Sequence, residues 1–106
     1  MLNLLFLTRP SIATAEIRKT YNENNKLTET SYYDSDGNIT EGPSGFATLR
    51  LEYDAQGRQT LSEWLDEDGD LYTNKKGYVS MTSTYDAEGR RTDTYYNAYG
   101  NEVNVQ

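Results

Sequence analysis

The chain has 106 residues with 10 basic and 17 acidic side chains, a formal net charge of −7, and no cysteine or histidine. This composition excludes disulfides, thiolate nucleophiles, imidazole bases and the usual zinc sites. The negative charge argues against a nucleic-acid partner, whose phosphates are neutralised by Lys and Arg. Ten tyrosines beside few aliphatic residues predict a chain that folds on a thin core of aromatic rings.

The first twelve residues are predicted to be a degenerate N-terminal repeat unit or a cap. Their apolar stretch, residues 2–7, is much shorter than the about 18 residues of a membrane-spanning helix, so no membrane span is predicted. Residues 13–15 would suit a signal-peptide cleavage site, but no Lys or Arg precedes the short apolar stretch. We therefore interpret residues 1–12 as part of the fold.

Residues 13–106 carry a repeat with a period of 32 residues. One tyrosine marks each period, at Tyr21, Tyr53 and Tyr85. The period defines three units, residues 14–45, 46–77 and 78–106, of which the last is one residue shorter between its two turns. Such a repeat indicates one supersecondary unit per period, with neighbouring units burying each other's apolar faces.

Two turn patterns recur in every unit. The first has Asp at its first and Gly at its fourth position, as in Asp54-Ala55-Gln56-Gly57, or Asn at both, as in residues 22–25. This pattern is typical of a type I turn that closes a hairpin. The second follows about twelve residues later, as in Asp66-Glu67-Asp68-Gly69. The glycines predicted to close these turns are Gly37, Gly57, Gly69, Gly89 and Gly100.

Between the turns, side chains alternate with the period of a β-strand, and no window has a helical period. Strands are predicted near residues 13–21, 26–33, 38–41, 46–53, 58–65, 70–73, 78–85, 90–96 and 101–105. One hairpin cannot bury its own face, so successive units must pack together. The predicted fold class is all-β, with tandem β-hairpin or meander repeats stacked into an elongated array.

The motifs of these units resemble known bacterial repeats. YDAQGR and YDAEGR, which start at Tyr53 and Tyr85, resemble the Tyr-Asp repeats of RHS and YD-repeat proteins. The order YYDSDGN, NKKGY, TYDAEGR over residues 13–105 resembles more closely the tyrosine-rich YYDxxG/GYA arrays. This resemblance implies a non-catalytic array that accompanies other modules, in some proteins enzymes of cell-envelope polymer synthesis.

A weaker resemblance links GNITEG, residues 37–42, to the choline- and glucan-binding repeats of surface proteins. Those repeats have an aromatic residue where this chain has Pro43, and a shorter period than 32 residues. An RHS shell that encloses a toxin needs many more units than three.

Acidic residues concentrate in the second turn, where the carboxylates of Asp66, Asp68 and Asp70 are candidate ligands of a calcium ion. An EF-hand loop has Gly at its sixth and Glu at its twelfth position, but here Gly69 is the fourth residue and Gly77 the twelfth. We interpret the aspartates as turn residues and predict no metal and no cofactor. Carboxylates that recur in every unit are typical of a scaffold, so no enzyme is predicted.

Aromatic residues precede the second turn of every unit, at Tyr32, Trp64 and Tyr95. Each of these rings is followed by a second large side chain, in the pairs Tyr32-Tyr33, Trp64-Leu65 and Tyr95-Tyr96. Neighbouring residues of a strand point to opposite faces, so one member of each pair is expected on an exposed face. Such a row can stack on sugars or on a quaternary ammonium, and Lys75 and Lys76 would add basic groups. The alternative is that the rings fill the core, as we expect for Tyr21, Tyr53 and Tyr85.

Two function classes are compatible with this sequence. The first is a binding or tethering module of a bacterial cell-envelope protein, with a glycan polymer or a protein as partner. The second is a structural repeat segment that mediates packing or dimerisation of a parent enzyme or RHS-like toxin, with homo-oligomers forming through the array edges. Rings exposed beside basic groups favour binding, whereas burial of every ring favours the structural role.

Overall fold

The computed structural model describes residues 14–105, in which seven antiparallel strands form one sheet in sequence order. The predicted all-β fold is confirmed. The strands are β1 (Glu16–Tyr21), β2 (Leu27–Tyr33), β3 (Thr48–Tyr53), β4 (Gln59–Leu65), β5 (Ser80–Tyr85), β6 (Arg91–Tyr96) and β7 (Glu102–Val103). The predicted cap, residues 1–12, lies outside the described residues. No helix in residues 14–105 is long and apolar enough to cross a membrane.

The sheet consists of three hairpins joined edge to edge. Each hairpin pairs two strands along their length: β1 with β2, β3 with β4, and β5 with β6. The junctions between hairpins are shorter, and the first runs only from the Glu29–Arg50 pair to the Ser31–Thr48 pair. The array is elongated, with a radius of gyration of 16.9 Å, against about 13 Å for a compact domain of this length.

Eight β-turns of one geometry link the segments of the described chain. In the turn at Asp54, the Gly57 N–H donates to the Asp54 carbonyl at 2.9 Å. The Asp54 carboxylate accepts the backbone N–H groups of Gln56 and Arg58. Gly57 has a φ of 82°, which a glycine adopts without a steric penalty. Asp or Asn at the first position and Gly at the fourth therefore specify most of these turns.

A third turn in each of the first two units was not predicted. It covers residues 42–45 and 74–77, where the Gly45 N–H donates to Gly42 and the Gly77 N–H to Asn74. This turn reverses the chain soon after the second one, so the predicted strands 38–41 and 70–73 shorten to single bridges. The bridges are Tyr33–Ile39 and Leu65–Leu71.

The missing residue of the third unit is a bulge residue. In the second hairpin Glu52 pairs with Leu61 and Tyr53 with Gln59, which leaves Thr60 as an extra residue on β4. The third hairpin continues from Thr84–Thr92 to Tyr85–Arg91 without a register shift. A β-bulge increases local twist, so the third hairpin lacks this local distortion.

The core of the described residues is thin and largely polar. Its buried apolar side chains are Ala47, Leu65 and Val79. Buried hydroxyl groups complete it, and the Ser31 and Thr48 hydroxyls lie 3.1 Å apart in a hydrogen bond. Half-buried aromatic rings supply the remaining apolar surface, as the composition indicated.

The repeat tyrosines connect one unit to the preceding unit. The hydroxyl of Tyr53 donates to the Leu27 carbonyl, and that of Tyr85 to the Gln59 carbonyl, each at 2.6 Å. Both rings are half-buried, but Tyr21 is 54% exposed, against the expectation that it is a core ring. The difference arises because no repeat unit precedes Tyr21 among the described residues.

Candidate functional site

Strand alternation and register place the three predicted rings on one face of the sheet. Tyr32 lies opposite Ile17, Trp64 opposite Leu49, and Tyr95 opposite Met81, and paired residues share a face. All three rings are half-buried. The residue after Trp64, Leu65, points to the other face and is 7% exposed. The rings are therefore neither fully exposed nor fully buried.

Two further rings come from the segments that enter β3 and β5. Tyr78 lies between Trp64 and Tyr95, with ring centroids 5.4 Å and 4.6 Å away. The equivalent Phe46 lies 5.9 Å from Tyr32. The signal for them was the aromatic residue that follows Gly45 and Gly77 at the repeat spacing.

The third turn of the second unit supplies the basic groups. Lys75 and Lys76 are the central residues of the turn at Asn74, whose side-chain oxygen accepts the N–H groups of Lys76 and Tyr78. This turn and the third turn of the preceding unit, residues 42–45, border a groove of about 420 Å³. The groove is lined by Pro43, Ser44, Phe46, Trp64, Asn74, Lys75, Lys76 and Tyr78. The structure thus brings together three of the five predicted binding residues.

Tyr32 and Tyr95 are not among the lining residues of this groove. The Tyr32 ring packs against the backbone of Gly42, where a Cβ atom would lie 2.5 Å from ring carbon Cδ2. Tyr95 contacts Tyr78 from the far side of the groove. Both rings therefore support the lining rings instead of lining the groove themselves.

A second pocket of about 580 Å³ adjoins the groove, and Pro43, Ser44 and Lys75 line both. Its own wall includes Tyr72 and residues 40–45. Glu67 of the next unit holds this segment, because its carboxylate accepts the Thr40 hydroxyl and the Glu41 N–H at 3.3 Å each. The two depressions therefore lie on either side of the turn that begins at Gly42.

Two aspartates that begin turns have lowered pKa values. The backbone N–H of Arg58 is the largest influence that lowers the pKa of Asp54, and the backbone N–H of Arg90 does the same for Asp86. Both carboxylates belong to first turns.

The acidic cluster of the second turn has the geometry of the other turns. Asp66, Asp68 and Asp70 place carboxylate oxygens within 4.8 Å of one another. One Asp66 oxygen already accepts the N–H groups of Asp68 and Asp70 at 2.9 Å each. This is the arrangement that Asp34, Asp54 and Asp86 adopt in their own turns, so the cluster is explained by the turn.

No protein-family model matches the chain, and no curated protein or solved structure is significantly similar to it. The resemblance to tyrosine-rich repeat arrays therefore stays a prediction. The groove and the repeat geometry are the features that bear on function.

Proposed function

We propose that the chain is a non-catalytic binding module of a bacterial cell-envelope protein that holds a glycan polymer in the groove between its third turns. One observation carries this proposal: the groove places the rings of Phe46, Trp64 and Tyr78 beside Lys75 and Lys76. Aromatic rings stack on the apolar faces of sugars, and ammonium groups bind anionic substituents.

The charges at the groove favour an anionic glycan. Lys75 and Lys76 are exposed and are adjacent in one turn, so their ammonium groups repel a quaternary ammonium and attract a carboxylate or a phosphate. The chain as a whole carries a net charge of −7, which disfavours long-range capture of a polyanion. The pair of lysines therefore provides a local site on an otherwise acidic surface.

The extent of the groove favours a polymer over a monosaccharide. The groove and the adjoining pocket share Pro43, Ser44 and Lys75, and Tyr72 extends the aromatic wall beyond them. Phe46 and Tyr72 have ring centroids 6.5 Å apart. A chain of sugars could contact rings on both sides of the turn at Gly42, whereas one sugar could contact only one side.

Calorimetric titration with polygalacturonate, dextran and choline tests the ligand class. We expect binding of the uronic-acid polymer, weaker binding of neutral dextran and no binding of choline. The double variant Lys75→Gln/Lys76→Gln should lower the affinity for polygalacturonate by about tenfold or more, equivalent to roughly 1.4 kcal/mol. Lys26→Gln, at the exposed first turn of another unit, is the matched control and should bind like the parent chain.

Equal affinity of the double variant and the parent chain would contradict the proposal, as would tighter binding of choline than of polygalacturonate. Binding of none of the three probes would favour the second candidate, a structural repeat segment. That candidate is supported by the contacts of Tyr78 with Trp64 and Tyr95, since mutual packing alone can account for half-buried rings.

A further inference from the structure

We propose that copies of this chain join head to tail, with β1 of one copy pairing with β6 of the next in the register of the internal junctions. This arrangement involves the two edges of the sheet and does not depend on the groove. The occupant of each edge is a second copy, because the molecule itself contains two examples of the same junction, β2 with β3 and β4 with β5.

The β1 edge exposes what the internal junctions cover. All six residues of β1 are exposed, and Ile17 and Tyr21 are 53% and 54% exposed. Their repeat equivalents are half-buried: Leu49 and Tyr53 in β3, and Met81 and Tyr85 in β5. Within residues 14–105, an apolar side chain that is covered at the internal positions is thus exposed at this end.

The opposite edge shows the matching pattern. The first three residues of β6 are exposed, whereas the first three residues of β2 and of β4 are half-buried against the following strand. Each end of the described sheet thus presents the half of a junction that the other end lacks. Such ends are complementary to each other and not to themselves.

The repeat fixes the contacts of the proposed junction. Thr30 pairs with Leu49 and Ser62 with Met81 at the internal junctions, so Asp93 of one copy pairs with Ile17 of the next. The Tyr53 and Tyr85 hydroxyls donate to carbonyls of the preceding hairpin. The equivalent donor is Tyr21, and the equivalent acceptor is the carbonyl at Arg91, which pairs with Tyr85 as Gln59 pairs with Tyr53.

The last strand, β7, leaves the edge accessible. It pairs with Tyr95 and Tyr96 at the end of β6, where Ile39 and Leu71 form their bridges in the first two units. In the first two units this bridge forms beside the pairing of the same strand with the following hairpin. In this register Lys19, two residues beyond Ile17, lies diagonal to Asp93 and directly opposite Arg91. Lys19 therefore meets one opposite and one like charge, and the junction depends on its backbone hydrogen bonds and on the cover of Ile17 and Tyr21.

Proline variants at the two edges test the head-to-tail arrangement. Tyr32 donates its N–H to the Ala47 carbonyl at the first junction, and hydrogen-bonded pairs alternate along an antiparallel ladder. The N–H groups of Ile17 and Asp93 therefore point to the open edges. Ile17→Pro blocks the β1 edge and Asp93→Pro blocks the β6 edge, because proline has no N–H to donate.

Sedimentation velocity of the full chain should show dimers and longer oligomers that increase with concentration. Each proline variant alone should sediment as a monomer, while an equimolar mixture of the two should form a dimer, since each partner keeps one intact edge. Circular dichroism verifies that each variant keeps the sheet. A parent chain that stays monomeric at every concentration overturns the proposal, and so does a dimer of Asp93→Pro alone, which would indicate a symmetric β1–β1 contact.

Tyr21→Phe provides a second test that does not disturb the backbone. It should weaken the self-association severalfold and leave the thermal stability of the dilute monomer unchanged. Tyr53→Phe removes the same hydroxyl from an internal junction and should lower the stability of the monomer instead. Unchanged self-association of Tyr21→Phe would contradict the proposed register.

Discussion

At the scale of single residues, the fourth position of each turn determines the backbone. Gly57 has a φ of 82°, and Asn25 occupies the equivalent position of the first turn with a φ of 64°. Glycine and asparagine tolerate this left-handed conformation, whereas β-branched residues do not. The sequence pattern therefore specifies the turns strongly enough for them to be predicted.

Gly57→Val should lower the free energy of unfolding by about 1–3 kcal/mol, because valine is forced into a conformation with positive φ. Gly57→Asn is the matched control and should cost clearly less. Urea denaturation of the two variants measures the difference. Equal losses would contradict the assignment of the turn conformation.

The turn carboxylates should make stability depend on acid pH. The pKa values of Asp54 and Asp86 lie below their ordinary value, mainly because backbone N–H groups donate to the ionised carboxylates. A folded-state pKa below the unfolded one gives stability that is present above the unfolded value, about pH 4, and is lost as the pH falls through the folded value.

Denaturation of the parent chain at a series of pH values between about 2 and 6 should show this loss. In Asp54→Asn/Asp86→Asn the amide oxygens can still accept the turn hydrogen bonds but cannot ionise. The acid-induced loss should be smaller in this double variant than in the parent chain. Identical pH profiles would show that other groups control the acid response.

At the scale of strands and hairpins, the tyrosine hydroxyls connect successive units. Tyr85→Phe removes the bond to the Gln59 carbonyl and should lower the free energy of unfolding by about 0.5–1.5 kcal/mol. Tyr96→Phe, at the other end of the same hairpin, is the comparison. Thermal melts of both variants measure the contribution of this inter-unit hydrogen bond. An unchanged melting temperature of Tyr85→Phe would show that the bond contributes nothing to stability.

The bulge should be dispensable, because the third hairpin forms without it. Deletion of Thr60 should leave the second hairpin folded with only a moderate loss of stability. Deletion of Ser62 should cost much more stability. If the bulge closes, Leu61 moves into the buried position of Ser62, and if the bulge remains, the Trp64 ring turns to the opposite face. Circular dichroism and denaturation of the two deletions measure this contrast, and equal stability would show that the register shift is wrongly placed.

At the scale of the whole molecule, the repeat made the fold predictable and left the groove unpredicted. The spacing of Tyr53 and Tyr85 and the alternation of the strands were sufficient for an all-β array of hairpins. Lys75 and Lys76 were expected to lie near the ring row only by sequence position. Their contact with the groove of Phe46 and Tyr78 depends on a third turn, which was not predicted because Asn74 stands where the other two turns of the second unit have the Asp of the Asp–Gly pattern.

The contacts between units were also beyond the sequence pattern. The acceptors of the tyrosine hydroxyls are backbone carbonyls, such as that of Leu27, and every residue type offers this group. The exposure of Tyr21 has the same origin, because its environment depends on a neighbouring unit and not on its own strand. Periodicity predicts equivalent positions, but the two ends of the described sheet break that equivalence.

Trp64 fluorescence tests the central claim, that the groove binds an anionic glycan, most directly. Trp64 is the only tryptophan and lines the groove half-buried, so its emission reports on this site alone. Addition of polygalacturonate should shift the emission to the blue and protect the ring from acrylamide, because stacking removes water from it. Both responses should weaken or disappear in Lys75→Gln/Lys76→Gln. Emission and quenching that stay unchanged with polygalacturonate, or that respond equally in the double variant, would contradict glycan binding at the groove.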